Sequence, residues 1–74
     1  MDSLKNIPEN SVSLSARELQ VLALAAEGLK RGEIAQRLHL MPGTVKVHME
    51  HVYRKLEAGG KLDAVNKARK LKLI

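Results

Sequence analysis

The sequence predicts an all-α fold, a compact four-helix bundle whose second and third helices form a helix-turn-helix. Three observations lead to this prediction. Apolar residues recur at three- and four-residue spacing in four separate segments, which is the period of an amphipathic helix. A Ser-to-Glu capping pattern begins the first segment. A very short link, followed by Pro42, joins the second segment to the third.

The chain is small and basic. Its 74 residues form one domain with a small core and leave no room for a separate catalytic cleft. Thirteen Lys and Arg residues against eight Asp and Glu residues give a formal net charge of +5. A basic surface favours phosphate polymers through counterion release, although neutral binders and membrane-surface proteins are also often basic. Because no nucleophile with a base, paired carboxylates or phosphate loop stands out, we predict a binding protein and not an enzyme.

Cysteine is absent, which excludes disulfides and thiolate metal sites and agrees with a reducing cytoplasm. The longest apolar run, Val21 to Ala26, is too short to span a bilayer, and no hydrophobic signal segment follows Met1. We therefore expect a soluble cytoplasmic protein with no cofactor and no membrane contact.

Residues 1 to 13 lack a periodic apolar face and are rich in Ser, Asn and Asp, so we expect a flexible N-terminal arm. Lys5 is the one cation of this arm, against Asp2 and Glu9, so the remaining chain carries a net charge of +6. The positive charge therefore belongs to the domain predicted at residues 14 to 74.

Helix one is predicted at about residues 16 to 28. Ser15 and Glu18 have the spacing of a capping box, in which each side chain accepts a backbone N–H at the helix start. Gly28 provides the left-handed position that ends a helix. The expected apolar face consists of Leu19, Leu22, Ala23, Ala26 and Leu29.

Helix two is predicted at about residues 32 to 38, with Glu33 complementing its N-terminal dipole. Its expected apolar side consists of Ile34, Ala35 and Leu38. The link from His39 to Met41 is only three residues long, and Pro42 then supplies a preset φ at a first helical position. So short a link forces a sharp crossing, as in a helix-turn-helix.

Helix three, from Pro42 to near Ala58, has two unlike faces. The predicted core stripe consists of Val45, Met49, Val52 and Leu56. The opposite face consists of Gly43, Val47, Glu50 and Arg54, with Lys46 and His51 at its margins. A face that mixes cations, an acid and a methyl-bearing side chain can read base edges in DNA. An ordinary solvated face looks similar, so the helix alone supports DNA reading only modestly.

Helix four follows Gly59-Gly60, which permit positive φ, and is predicted at about residues 61 to 71. The side expected to pack on the domain consists of Ala64, Val65, Ala68 and Leu71. A second stripe, Leu62, Asn66, Arg69 and Leu73, has the spacing of a coiled-coil seam that a second copy of the chain could cover. The alternative is a frayed terminal helix with two exposed leucines.

Five fragments of the sequence carry a resemblance to a known family: Leu14-Ser15-Ala16-Arg17-Glu18-Leu19-Gln20-Val21-Leu22, Ala26-Glu27-Gly28-Leu29, Glu33-Ile34-Ala35-Gln36-Arg37-Leu38, Thr44-Val45-Lys46-Val47-His48 and Lys55-Leu56. In order and spacing they resemble the DNA-binding domain of the LuxR/GerE family of bacterial transcription regulators. The resemblance spans residues 14 to 74. It implies a recognition helix at about residues 42 to 57 in the major groove and dimer contacts through helix four.

These considerations give two sets of candidate residues. The expected DNA contacts are Thr44, Lys46, Val47, Glu50, His51, Arg54 and Lys55. The expected homodimer contacts are Leu62, Val65, Asn66, Arg69 and Leu73. The expected partners are double-stranded DNA and a second copy of the chain, and RNA polymerase is the further partner that a transcription regulator would have.

The sequence departs from the family's usual pattern at three places. Met41 stands where the family generally has a capping Ser or Thr, so a cap hydrogen bond worth about 1 kcal/mol is missing, which Pro42 offsets in part. Glu50 stands where some members present a base-contacting Lys or another polar residue. Residues 58 to 61 replace a turn that is usually richer in Arg and Ser. The fold tolerates these changes, and we expect the preferred DNA sequence to differ from that of other members.

Each candidate also has an ordinary structural interpretation. Lys46 can be a solvated lysine that pairs with Glu50 one turn on, Val47 a tolerated surface valine, and Thr44 a support for the helix start. His48 and His51 have a metal-ligand spacing but no third ligand, so we expect His48 at the core edge and no metal site. Tyr53 is expected in the core.

A different class of function remains open for the whole chain. A small helical bundle with a basic surface can dock an acidic protein partner, or act as an anti-activator that pairs with a related regulator through helix four. Duplex binding that weakens steeply with salt would favour the DNA interpretation.

Overall fold

A computed structural model describes residues 12–74 of the chain. Four helices follow one another: α1 Ala16–Ala26, α2 Arg31–Leu38, α3 Pro42–Leu56 and α4 Lys61–Lys70. Within the described residues there is no strand. The predicted all-α architecture of four helices, with α2 and α3 joined by a three-residue link, is therefore confirmed. The predicted arm falls outside the described residues except for Val12 and Ser13, and Val12 packs against the core.

The third helix is the centre of the fold, because the three most extensive contacts between helices all involve α3. On one side of it lies the α4 cluster, whose buried members are Leu14, Leu22, Val52, Leu56, Ala64, Val65 and Ala68. On the other side lies the α2 cluster, whose buried members are Val21, Ala25, Ile34, Ala35 and Val45. Met49 packs against both clusters and joins them. The predicted core stripe of α3 is therefore the stripe that the structure buries.

The starts of α1 and α3 differ in the way the sequence predicts. Ser15 Oγ accepts the Glu18 N–H at 3.0 Å, and Glu18 Oε1 accepts the Ser15 N–H at 2.9 Å, which completes the capping box of α1. Met41 provides no side-chain cap for α3, and Pro42 occupies the first turn. The missing cap at Met41 is thus confirmed.

All four helices end in the same way, with one residue at positive φ followed by a partly buried apolar residue. The positive-φ residues are Gly28 (98°), His39 (57°), Glu57 (52°) and Lys72 (60°). The N–H of the next residue then donates to a carbonyl five residues back, in the pairs Leu29–Leu24 (3.2 Å), Leu40–Ala35 (2.8 Å), Ala58–Tyr53 (2.8 Å) and Leu73–Ala68 (2.8 Å). These are Schellman motifs, which satisfy the orphan carbonyls of a helix end.

The Schellman motifs explain where the predicted helix ends were wrong by one or two residues. Helix α1 ends at Ala26 because the reversal through Gly28 starts before the glycine. Helix α3 ends at Leu56 because Glu57, not the Gly59-Gly60 pair, adopts the left-handed conformation. Gly60 has a φ of 175°, which is ordinary extended backbone.

At the end of α4, one residue predicted in the core is exposed. Two of the predicted dimer residues instead pack against their own domain. Leu71 was expected in the core but is 41% exposed, because α4 ends at Lys70 and the left-handed Lys72 turns the chain. Leu73 packs against the α4 cluster in its place. Val65 is only 6% exposed and also lies in that cluster. Leu73 and Val65 therefore pack against their own domain, and the exposed members of the predicted dimer set are Leu62, Asn66 and Arg69.

We predict that Gly28→Ala lowers the free energy of unfolding by about 1 to 2 kcal/mol, because a Cβ disfavours positive φ. An added Cβ meets no atom within 4 Å at Gly28, so backbone conformation alone causes the loss. Gly32→Ala, in α2, is the matched control with equally free space. It should leave stability unchanged or raise it by up to about 1 kcal/mol. Urea unfolding followed by circular dichroism measures both, and equal effects of the two variants would refute this explanation.

Candidate nucleic-acid interface

The face of α3 opposite its buried stripe is open to solvent. Thr44, Lys46, Glu50 and Arg54 are all exposed, and Gly43 leaves a gap without a side chain among them. Val47 is 45% exposed, so its methyl groups face solvent and not the core. Five of the seven predicted DNA contacts therefore lie together on one accessible surface, which we call the α3 face: Thr44, Lys46, Val47, Glu50 and Arg54.

The charged groups on the α3 face are not neutralised by one another. Within residues 12–74, Glu50 forms no ion pair with Lys46 or Arg54, although both lie four residues away. The surface-pair interpretation of Lys46 is thus not the arrangement that the structure adopts. The α3 face offers hydrogen-bond donors, one carboxylate acceptor, a hydroxyl and methyl groups within one helix length, which is the chemistry that distinguishes base pairs.

A cationic groove of about 560 Å³ runs beside α3, between the starts of α2 and α4. Apolar side chains, among them Leu29, Ile34, Met49 and Tyr53, contribute to its lining. Its cations are Lys30, Arg31, Lys46 and Lys61, against the single acid Glu50. Lys30, Arg31 and Lys61 were not among the contacts predicted from the sequence. Lys30 directly precedes α2, Arg31 begins α2 and Lys61 begins α4. Their positions at helix starts were the feature of the sequence that could have identified them as contacts.

The two remaining predicted contacts, His51 and Lys55, lie on the flank of α3 that meets α1. Lys55 Nζ donates to Glu18 Oε1 at 2.8 Å, and His51 Nδ1 lies 3.5 Å from Glu18 Oε2. The Glu18 side chain is nearly covered, with 5% of the residue exposed. From the sequence, Glu18 was predicted only as a capping residue. Nothing in the local sequence links it to Lys55, which is 37 positions further along the chain.

Glu18 is held in its ionised form. Burial opposes ionisation of its carboxyl group, but the hydrogen bond from Lys55 and the backbone N–H of Ser15 outweigh burial, so the pKa of Glu18 lies below its ordinary value of 4.5. A carboxylate that accepts several hydrogen bonds behaves in this way. At neutral pH, Glu18 therefore carries a full negative charge at the junction of α1 and α3.

His48 and Tyr53, which the sequence placed at the core edge and in the core, take positions that agree with this prediction. His48 is half-buried, and within the described chain its Nδ1 atom is covered and has no hydrogen-bond partner. Tyr53 packs against the α4 cluster. Among residues 12–74 there is no group of three or more His, Asp or Glu side chains arranged to hold a metal ion.

Comparison with known proteins identifies the family. The family model described as bacterial regulatory proteins, luxR family, matches residues 12–68. The chain belongs to this family. It is 43% identical over 70 residues to the transcriptional activator protein SolR of Ralstonia nicotianae, a match that covers 95% of the chain and 30% of SolR. It is 48% identical over 52 residues to the response regulator RamR of Streptomyces coelicolor, covering 70% of the chain and 26% of RamR.

Solved structures agree with this family membership. The crystal structure of the response regulator ChrA, from a heme-sensing two-component system, matches with a TM-score of 0.82 and 32% identity. That match covers 96% of the chain and 35% of the ChrA chain. The chain spans less than a third of the length of SolR and of RamR. What it contains is the helix-turn-helix domain of LuxR-type transcription regulators, and the family is one of regulatory proteins. None of the helices within residues 12–74 has the length and apolar character needed to cross a bilayer.

We predict that the contribution of Glu18 to stability is lost in acid. Because its pKa is lowered in the folded state, this contribution is fully present above the ordinary pKa of 4.5 and declines as the pH falls through the lowered value. Glu18→Gln should therefore be less stable than wild type at pH 7, and the difference should shrink towards pH 3. Urea unfolding at the two pH values tests this, and a difference that stays constant would contradict it.

Proposed function

We propose that the chain binds double-stranded DNA sequence-specifically, as a bacterial transcription regulator or as the DNA-binding domain of one. The observation that carries the proposal is the exposed α3 face, on a helix whose opposite stripe is buried against the other three helices. B-DNA's major groove is wide enough to admit an α-helix, and in helix-turn-helix proteins the second helix of the motif enters it. Here that helix is α3.

Each residue of the α3 face has a role that its chemistry suits. Lys46 and Arg54 donate to guanine O6 and N7 or to phosphates, and Glu50 accepts from cytosine N4. Val47 contacts a thymine methyl group, which explains an exposed valine among charged neighbours. Thr44, in the first turn of α3, binds a phosphate where backbone N–H groups also point.

The cationic groove extends this interface to the DNA backbone. Lys30 and Arg31 at the start of α2, and Lys61 at the start of α4, flank α3 on the side where a phosphate strand would pass. Contacts of this kind fix the orientation of the protein on the duplex and carry most of the salt dependence of binding. His51 and Lys55 are left out of the proposed contacts, because both are engaged with Glu18.

A homodimer through α4 and an action at the nucleoid complete the proposal, with RNA polymerase as a further partner. Leu62 is 74% exposed and shares one surface of α4 with the exposed Asn66 and Arg69. A large exposed leucine beside polar residues is suited to a small contact between two copies. The names of the relatives, a transcriptional activator and a response regulator, support a regulatory role.

If Lys46 reads a base, we predict that Lys46→Ala weakens binding to a duplex selected from a random library by about 1 to 3 kcal/mol. Its binding to random duplex should be weakened less. Equal weakening of both duplexes would assign Lys46 to a phosphate. Lys70→Ala, at the end of α4, removes the same charge from another exposed site and should have little effect. Fluorescence anisotropy titrations measure all of these affinities. Unchanged binding by Lys46→Ala would refute its proposed role.

The same titrations, repeated at increasing salt, separate DNA binding from the protein-interaction alternative. A DNA-binding domain loses affinity steeply because each phosphate contact releases a counterion. Failure of the wild-type chain to bind any duplex at low salt would reject the proposed function. Binding to a related regulator in its place would then support the anti-activator interpretation.

We predict that Leu62→Gln reduces self-association of the chain, because the amide places a polar group in the proposed contact. Leu71→Gln is the matched control, since Leu71 is also an exposed leucine near one end of α4 but lies outside the proposed dimer surface. Sedimentation at several concentrations, with and without duplex, measures the oligomeric state. A wild-type chain that stays monomeric in every condition would refute the dimer.

A further inference from the structure

Two cations adjacent in sequence near the end of α3, Arg54 and Lys55, have different surroundings. Arg54 belongs to the α3 face and forms no ion pair within residues 12–74. Lys55 points its ammonium group to the nearly buried Glu18 on α1, at 2.8 Å. Both residues reach solvent, and 35% of the Lys55 side chain is exposed, but only the Lys55 charge is already paired with a carboxylate.

For Lys55 to turn fully towards a phosphate, its ammonium group would have to move away from Glu18 and break this bond. The carboxylate would then remain nearly buried without its principal cationic partner, and an ionised group left in that state is strongly unfavourable. A lysine whose charge is compensated by a protein carboxylate also neutralises little phosphate charge, so it releases few of the counterions condensed on DNA. The free energy of the Glu18 site therefore opposes a phosphate contact by Lys55.

We propose that Glu18 is a positioning residue for DNA recognition, which holds Lys55 against α1 and away from DNA phosphates. The inference rests on the proposed DNA binding. Its consequence concerns specificity, because an additional free lysine beside the recognition helix would strengthen binding to every sequence equally. By keeping one cation occupied, Glu18 lowers the affinity for random DNA and leaves discrimination to the α3 face.

A purely structural role for Glu18 makes different predictions. If Glu18 only fastened α1 to α3, its loss would weaken binding to all duplexes and leave the number of phosphate contacts unchanged. If it also holds Lys55, its removal adds a contact. The affinity falls as salt rises, so the slope of log K against log salt is negative. Its magnitude, which we call the slope below, counts these contacts, at about 0.9 per phosphate on B-DNA. This slope is a readout that simple loss of stability does not raise.

The first experiment compares the two neighbouring cations in the full chain. Arg54→Gln and Lys55→Gln each remove one charge, and the binding of both variants to random duplex is titrated over a range of salt concentrations. The proposal expects Arg54→Gln to reduce the slope by about 0.9 and Lys55→Gln to leave it unchanged. An equal reduction by Lys55→Gln would overturn the proposal. Because Lys55→Gln removes the cationic partner of Glu18, thermal unfolding by circular dichroism first checks that both variants are folded at the titration temperature. The amide of Lys55→Gln can still donate a hydrogen bond to the carboxylate.

The second experiment frees Lys55. Glu18→Gln keeps a side-chain oxygen that can accept the Ser15 N–H in the capping box but removes the charge. It should raise the slope by about 0.9 and tighten random-duplex binding roughly five- to tenfold near 0.1 M salt. Most of this gain should vanish in the Glu18→Gln/Lys55→Gln double variant. Glu27→Gln, an exposed acid following α1, is the control for loss of one negative charge without release of a lysine.

The outcomes distinguish this inference from the proposed function. If the wild-type chain binds no duplex, both proposals fail. If it binds but Glu18→Gln leaves the slope unchanged, only the positioning role fails. The same holds if the Glu18→Gln/Lys55→Gln double variant raises the slope as much as Glu18→Gln does.

Discussion

The structure depends on the burial of one stripe of α3 against all three other helices. Val45, Val52 and Leu56 are almost fully covered, and each such side chain contributes about 1.5 to 3 kcal/mol when buried. Rotating α3 about its axis would expose this stripe and bury charged groups, so the packing fixes which residues face outward. The packing of the core therefore determines which residues make up the α3 face. The ion pair between Glu18 and Lys55 adds a directional contact between α1 and α3 at the C-terminal half of the same helix.

The helix ends place the rest of the candidate interface. Each Schellman motif reverses the chain and returns an apolar residue to the core, as Leu29 does before α2. The starts of α2 and α4 are thereby brought beside α3, and with them the cations of the groove at Lys30, Arg31 and Lys61. A fold with a small core can thus present a wide basic surface, because these cations lie at the turns and helix starts and do not have to be buried.

Much of this fold could be predicted from local patterns, and the failures have a common physical cause. The capping box at Ser15, the stripe of α3 and the positive φ of Gly28 each follow from residues close in sequence. The left-handed His39 and Glu57 were not foreseen, since a Cβ generally disfavours positive φ and the prediction therefore placed the helix ends at glycines. The same holds for the candidate site. The α3 face follows from helical periodicity, but the engagement of Lys55 with Glu18 joins residues 37 positions apart and exists only in the folded domain.

The central claim is that the α3 face is the surface that binds DNA, and titration of an isotope-labelled chain with a selected duplex tests it most directly. Backbone amide shifts report the contact surface residue by residue. We expect the largest shifts from Gly43 to Arg54 and at the starts of α2 and α4, with the segment from Gln20 to Ala26 of α1 little affected. Shifts concentrated on α1, with Lys46, Val47 and Arg54 unchanged, would contradict the account.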